Sequence, residues 1–574
     1  MRTVRLKAVG TLVVVAAALA GCTSSSDSSD SGASGGSSSA TAVEGAVSAA
    51  AVLADDKETH TAETWDEGDV RDIALDGDSV TVTKEGIYRL SGELTDGRVV
   101  VNVPEGKVTL ILDGVDITAS SGPAIEAAEV DELTVVLADG SANTVTSSGE
   151  GVDSAGDLTI TGGGSLAVHA GAGDGIASGD GLVVDSGSVS VEAADDGIRG
   201  KDYLVVNGGR ITVTSGGDGL KSDNSEEADA GYLAVRGGTV KVTSGGDGVD
   251  AATDLVVTGG VLGVVSKVSA GDDSSAHGLK AGVIAVLEGG TVGVEAAADA
   301  VHTAAAVHFN GADVTLAAGD DGVHAEGDLV VSKGELEITT SNEGLEGKDI
   351  LVRGGSATVT SNDDGVNASG SEGSSGGQGR GPGGGPGGGG EGAGDYTARV
   401  TGGTLVVNAE GDGFDSNGTA EITGGTVVVN GPQRGGNGAL DVNGSFTVSG
   451  GLLLASGSAG MVVAPDTESA QGWLSATLDS SVDAGTTLHI VSAAGEVVAS
   501  YVTSKTIQNV VYSGEEIEKG ATYTVYAGGS VSGGTTGGLA EPGELGSAEK
   551  IATVTAGEAP EGGFGPPGGH DTDL

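Results

Sequence analysis

A carboxylate followed by glycine and an aliphatic residue recurs along this sequence, and a recurring carboxylate raises the question of cations. The unit stands as Glu150-Gly151-Val152, Asp174-Gly175-Ile176, Asp196-Gly197-Ile198, Asp218-Gly219-Leu220 and Asp247-Gly248-Val249. It continues, with variation, as His277-Gly278-Leu279, Asp299-Ala300-Val301, Asp321-Gly322-Val323, Glu343-Gly344-Leu345, Asp364-Gly365-Val366 and Asp412-Gly413-Phe414. Steps between the central residues are 24, 22, 22, 29, 30, 22, 22, 22, 21 and 48. If units of equal phase stack at strand spacing, about 4.8 Å, their acids form a column. Each neighbouring pair then repels by about 0.9 kcal/mol in bulk water, and several-fold more in a partly desolvated groove. Such a column is tolerable if the carboxyls fan into water, protonate, or share cations. Doubled acids at Asp195-Asp196, Asp320-Asp321 and Asp363-Asp364 favour sharing. Calcium, which accepts about six to eight oxygen ligands in loose geometry, is the natural ion. Asp195, Asp196, Asp218, Asp247, Asp320, Asp321, Asp363, Asp364 and Asp412 are therefore candidate calcium ligands. The plainer alternative is Asp as the turn residue before glycine.

A second column lies two residues beyond each central position: Asp153, Ala177, Arg199, Lys221, Asp250, Lys280, His302, His324, Glu346, Asn367 and Asp415. Strand alternation points these side chains outward if the aliphatic residue points in. Lys201, Asp202, Asp223 and Asn224 lie beside them. A ladder of this kind suits an extended polymer lying along the stack; a merely solvated face is the bland reading. His302 and His324 share a phase, but no cysteine or tight histidine spacing supports zinc, so hydrogen bonding is expected of them and of His277. Gly173 to Gly181 loosely matches a dinucleotide fingerprint, yet no helical pattern follows.

The elements that must position these columns are short strands. One repeat reads Tyr203-Leu204-Val205-Val206, then Gly208-Gly209, then Arg210-Ile211-Thr212-Val213-Thr214, and later repeats keep the plan. Helical periodicity is missing and β-branched residues fill the segments. Three strands in about 22 residues predict an all-β fold: a right-handed, three-sided parallel β-helix of about a dozen coils with β-rich end caps. A propeller blade needs about 40 residues and a calcium nonapeptide repeat nine, so neither fits. Composition agrees. There are 109 glycines and only 2 % aromatics, as thin stacked aliphatic layers require.

The expected layout starts with an address at 1–22, where Arg2, Arg5 and Lys7 precede the apolar run Leu12 to Leu19. Leu19-Ala20-Gly21-Cys22 resembles a bacterial lipobox, which implies lipidation of Cys22 and a lipid anchor on the outer face of the cytoplasmic membrane. Cys22 is the only cysteine, so no intrachain disulfide forms. Residues 23–55 read as a Ser/Gly/Asp tether, 56–120 as an N-terminal cap with the first coils, and 121–458 as the β-helix. A Gly-rich loop interrupts it at 369–394; 459–527 reads as a C-terminal cap and 528–574 as an unstructured tail. A formal charge of −56 argues against nucleic acid and anionic lipid surfaces as partners and for divalent cations. A monomer is expected.

The run Asp195-Asp196-Gly197-Ile198-Arg199-Gly200-Lys201-Asp202-Tyr203 and its echoes at Gly217 to Asn224, Gly278 to Gly282, Asp320 to Ala325 and Asp363 to Ala368 resemble a bacterial carbohydrate-binding β-helix family. The resemblance covers about Leu75 to Gly528. It implies a polysaccharide-lyase-like fold, calcium, and binding of cellulose or acidic sugars such as polygalacturonate. Ala300 departs from the motif and puts a site in that coil in doubt. Both tryptophans, Trp65 and Trp473, lie outside the repeats, so the aromatic stacking that grips neutral glucans is scarce. Calcium-bridged uronate fits better. The expected carbohydrate contacts are Arg199, Lys201, Lys221, Asp223, Asp250, Lys280, His302, His324 and Asp415. The alternatives are a calcium-dependent polysaccharide lyase, with Lys201, Lys221 or Lys280 as base, and a structural adhesin that binds a protein partner.

Overall fold

Alternation builds each coil. In the short strand Ile198–Gly200 the outer two residues are buried and Arg199 between them reaches outward. The long strand Arg210–Ser215 alternates strictly between exposed and buried positions. The middle strand Tyr203–Val206 is buried at all four residues, so it has a cover on its outer face as well. In this computed structural model, which describes residues 46–558 apart from 63, 78, 268–275 and 371–392, every such strand pairs in parallel with its counterpart one coil on. Ile198 pairs with Leu220, Tyr203 with Tyr232 and Arg210 with Thr239. The inward residues Val152, Ile176, Ile198, Leu220, Val249 and Leu279 thereby stack into one continuous aliphatic core. Cys22, the expected address and most of the Gly-rich loop lie outside the described residues.

The solenoid has about fifteen turns rather than a dozen. The extra turns come from the region expected to hold a cap. Val80 pairs in parallel with Val99, Val99 with Ile125, and Ile125 with Val152. These coils lack the acid–glycine unit but keep its aliphatic phase.

The repeated glycine is favoured by crowding, not by a left-handed backbone. A Cβ on Gly197 would overlap Val213 Cγ1 and the Gly219 carbonyl, and one on Gly219 would overlap Val242 Cγ1 and the Gly248 carbonyl. Ala300 is tolerated in a coil where Leu316 stands at the phase of those valines. Leucine lacks one of valine's two γ carbons, which lessens the crowding; alanine also stands at this phase at Ala124, in a coil with Val145 at the valine phase. Left-handed glycines do occur, at the other corner: Gly209 has φ 85° and Gly238 φ 80°.

The C-terminal end changes polarity. Leu452–Gly457 pairs antiparallel with Ile507–Ser513, which also pairs antiparallel with Trp473–Val482. A second, five-stranded sheet joins Thr487–Ser492, Val497–Val502, Thr522–Ala527, Leu539–Ala540 and Glu549–Thr555. The expected tail is thus corrected: Glu549–Thr555 pairs with Thr522–Ala527 as an edge strand of this cap, its alternation hidden from composition by flanking glycines. The cap seats on Val406, Val428 and Leu454, the outward residues of the last long strands.

The tether is corrected as well. Its last residues form a short helix, Ala49–Val52, capped by Ser48. From there to His60 the chain runs back along the middle strands. Ala49, Val52 and Leu53 cover Val256 and Val286, Leu53 also reaches the cluster of Val183, Val205 and Tyr232, and His60 bonds the Tyr203 hydroxyl at 2.8 Å. This strap is the outer cover that the apolar middle strands need.

Candidate functional site

The two columns expected from phase are present, and they work as one unit. Each aspartate of the inner column uses one oxygen to accept the backbone N–H of the residue at the same position one coil on. Asp196 Oδ1 accepts from Asp218 at 2.8 Å, Asp218 Oδ1 from Asp247 at 2.8 Å, and Asp247 Oδ1 from His277 at 2.8 Å. The pattern resumes with Asp299 to Asp321 at 3.1 Å, Asp364 to Asp412 at 2.6 Å and Asp412 to Gly438 at 2.6 Å. The acid is therefore partly a structural cap for a corner amide that would otherwise be unpaired. Its second oxygen carries the chemistry.

Register places the ladder residues in one outward row: Asp153, Ala177, Arg199, Lys221, Asp250, Lys280, His302, His324, Glu346, Asn367, Asp415 and Asp441. Through the first two thirds of the row, cations fold back onto the acid column. Arg199 Nε reaches Asp174 Oδ2 at 2.7 Å, and its guanidinium lies 3.4 Å from Asp223. Lys221 Nζ bridges Asp196 Oδ2 at 3.1 Å and Asp218 Oδ2 at 2.7 Å. Lys280 Nζ sits 2.8 Å from Asp247 Oδ2 and 3.4 Å from Asp250. Burial pushes Asp247 up, but the hydrogen bonds from His277 and Lys280 win and hold it below the ordinary carboxylate value. Burial alone would lower the ammonium of Lys221 and of Lys280; their Asp partners outweigh it and raise both. His324, paired with Asp321 and Glu346, is pushed up to about 10.

Beyond Glu346 the balance reverses. Among the described residues no basic side chain pairs with Glu343, Asp364, Asp412, Asp415 or Asp441. Burial, then mutual repulsion, raises Asp412 to about 7 and Asp415 to about 8; the neighbours acting on Asp415 are Asp441, Asp364 and Asp412. Glu343 rises to about 7 and Asp364 to about 6, chiefly through burial. Asp363 Oδ1 and Asp364 Oδ1 both lie close over Gly411, the latter being the oxygen that caps the Asp412 amide. Asn367, 9 % exposed, donates its amide to Glu343 at 2.8 Å, and its Oδ1 is buried without a partner.

The other doubled acids differ. Asp195 converges with Asp174 and Asp196, ligand atoms within 4.8 Å of one another, but Arg199 and Lys221 already occupy that corner. Asp320 is exposed beside buried Asp321. Lys201 does not join the row: it lies in the corner after Ile198–Gly200 with its side chain exposed. The reading of the sequence missed Asp441, because Gly438-Ala439 replaces both acid and glycine of the unit, and it missed Glu126, which pairs with Asp153 one coil earlier.

A parallel β-solenoid with a carboxylate column under a charged outward ladder is the class that these features define. The chain belongs to the carbohydrate-binding domain-containing family, which matches residues 76–322 and 320–380, just over half of it. A carbohydrate-binding domain-containing protein of Acetivibrio thermocellus is 30% identical over 169 residues, which is 26% of this chain and 58% of the relative. The match therefore spans less than two thirds of that relative's length. A solved structure of the polysaccharide lyase-like protein from C. thermocellum, a gadolinium derivative, is 28% identical, with a TM-score of 0.31, 38% of this chain covered and 84% of that one.

Proposed function

We propose that this protein binds an acidic polysaccharide without cleaving it, and that calcium held at the C-terminal end of the ladder bridges sugar carboxylates to the protein. One observation carries the reading: Asp441, Asp364, Asp412 and Glu343, spread over successive coils, all bear on Asp415, and no basic side chain among the described residues pairs with any of the five, while Asn367 Oδ1 in the same row is buried without a partner. An all-oxygen set with an amide carbonyl among carboxylates is what a calcium ion accepts. Asp363, beside Asp364, would add a solvent-side oxygen. The remaining ladder continues the row along which an extended chain could lie.

The ladder cations support binding over catalysis. A lysine base must lose its proton near neutral pH, whereas Lys221 and Lys280 are held charged by Asp partners. The same pairs leave Arg199, Lys221 and Lys280 to hydrogen-bond sugar hydroxyls with the donors that their Asp partners do not use. We further propose that lipidation at Cys22 holds the protein at the outer face of the membrane. The test is a polygalacturonate pull-down with and without chelator, alongside an absorbance assay for unsaturated product. Calcium-dependent retention without product is expected. Chelator-insensitive retention would overturn the calcium bridge, and unsaturated product would overturn the non-catalytic reading.

A further inference from the structure

The three stacked histidines of the ladder region are not equivalent, and the difference follows from which nitrogen holds a proton. Asp247 Oδ1 already accepts the His277 backbone N–H, and an ionised carboxylate can only accept. His277 Nδ1, 3.1 Å from the same oxygen, therefore donates to it. In the neutral ring this leaves Nε2 with its lone pair exposed. That atom faces Asp299 Oδ2 at 3.5 Å. Asp299 is itself fixed, because its Oδ1 accepts the Asp321 N–H at 3.1 Å. On the other side His302 Nδ1 lies 2.8 Å from the same Oδ2, and the His277 and His302 rings are 4.6 Å apart.

We propose that His277 Nε2, Asp299 Oδ2 and His302 Nδ1 form a site for a zinc-class divalent transition metal, separate from the calcium end of the ladder. One ligand atom from each of the three residues lies within 4.8 Å of the other two. Tetrahedral zinc with bonds of about 2.0–2.1 Å places its ligands about 3.3–3.4 Å apart. The 3.5 Å edge between His277 and Asp299 meets that separation, and it is too long for a hydrogen bond, whose upper range is about 3.2 Å. The shorter edge opens by a small rotation of the His302 ring, which is partly exposed. The Asp247–His277 contact is the carboxylate–imidazole pairing that orients metal-binding histidines. Three protein ligands leave a fourth position for water. His324 is not a ligand. Its Nδ1 donates to Glu346 Oε2 at 2.9 Å with Asp321 Oδ2 3.3 Å from the same nitrogen, and these two acids keep the ring protonated. Imidazole donors favour zinc, cobalt, nickel and copper over calcium, so the two kinds of site fill independently.

Cobalt titration of the chelator-treated full chain tests this, with visible absorption as the readout. One equivalent of Co2+ should give the intense bands of four-coordinate cobalt, displaced by Zn2+ and unmoved by excess Ca2+. His277→Gln and His302→Gln should each abolish the bands, Asp247→Asn should weaken affinity about 10- to 100-fold, and His324→Gln should leave the spectrum unchanged. Circular dichroism confirms that each variant is folded, and having either His277→Gln or His302→Gln folded suffices. Weak six-coordinate bands, displacement by calcium, or bands that survive in a folded His277→Gln or His302→Gln chain would overturn the site.

Discussion

Asp218 makes two contacts at once: its Oδ1 accepts the Asp247 backbone N–H at 2.8 Å while its Oδ2 holds the Lys221 ammonium at 2.7 Å. The same carboxylate ties one coil to the next and neutralises the ladder. Asp218→Ala should therefore cost about 2–4 kcal/mol, since it leaves a corner amide unpaired and Lys221 with only Asp196. Asp218→Asn keeps an acceptor and should cost less than half as much. Urea unfolding with hydrogen exchange at the Asp247 amide checks both, and equal losses for Ala and Asn would refute the capping role.

Acidity should set how calcium acts on stability. Glu343 and Asp412 stand at about 7 and Asp415 at about 8 in the folded chain, above the roughly 4 of an unfolded carboxyl. The folded state thus binds more protons than the unfolded one through that window, and its stability falls as pH rises from about 4 to 8. Bound calcium would offset both causes of the fall, the burial of the charged carboxylates and then their mutual repulsion. The melting temperature in chelator should drop between about pH 5 and 8, with calcium restoring it at the upper end and adding little at the lower. Calcium stabilisation that does not depend on pH would count against the site.

The crowding of the corner glycines predicts a rescue. Gly219→Ala should cost about 1–3 kcal/mol through overlap with Val242 and the Gly248 carbonyl. The added change Val242→Leu, copying the Ala300–Leu316 pairing, should recover part of that loss. Thermal melts of the single and double variants measure the coupling, and strict additivity would show that Leu316 is incidental.

Removing the strap should uncover the middle strands. Leu53→Asp, or a chain beginning after Thr61, would expose Val183, Val205, Val256 and Val286. Increased binding of a hydrophobic dye and a tendency to aggregate are expected, with the short-strand ladder otherwise intact.

Period alone made the register readable: Asp196, Asp218 and Asp247 do line up, as equal phase demands. The ladder's order was readable too, as Arg199, Lys221, Asp250, Lys280, His302, His324, Glu346, Asn367, Asp415, but its division into a cation-paired part and an acid-only end was not drawn from it. Phase does not say what each carboxylate oxygen does, because the amide it caps belongs to a different coil. Nor could composition reveal the strap, whose contacts join residues far apart in sequence, such as Val47 and His308. The hint was indirect: Tyr203-Leu204-Val205-Val206 has no polar face, and a strand at a solvent boundary should have one. Asp441 escaped because its coil keeps only the aliphatic residue of the motif.

The strap also decides where mechanical tension enters the molecule. A pull from the N-terminal side of Val47 first meets its bond to His308 and then Ala49 on Glu288, in mid-stack, before it reaches the first coil at Val70. Those contacts would come away one after another, like a zip, while the parallel strands below stay in register. Were the chain attached through the lipid proposed at Cys22 and drawn taut against a bound partner, it would lengthen by shedding this segment first, a sacrificial slack that protects the stacked coils.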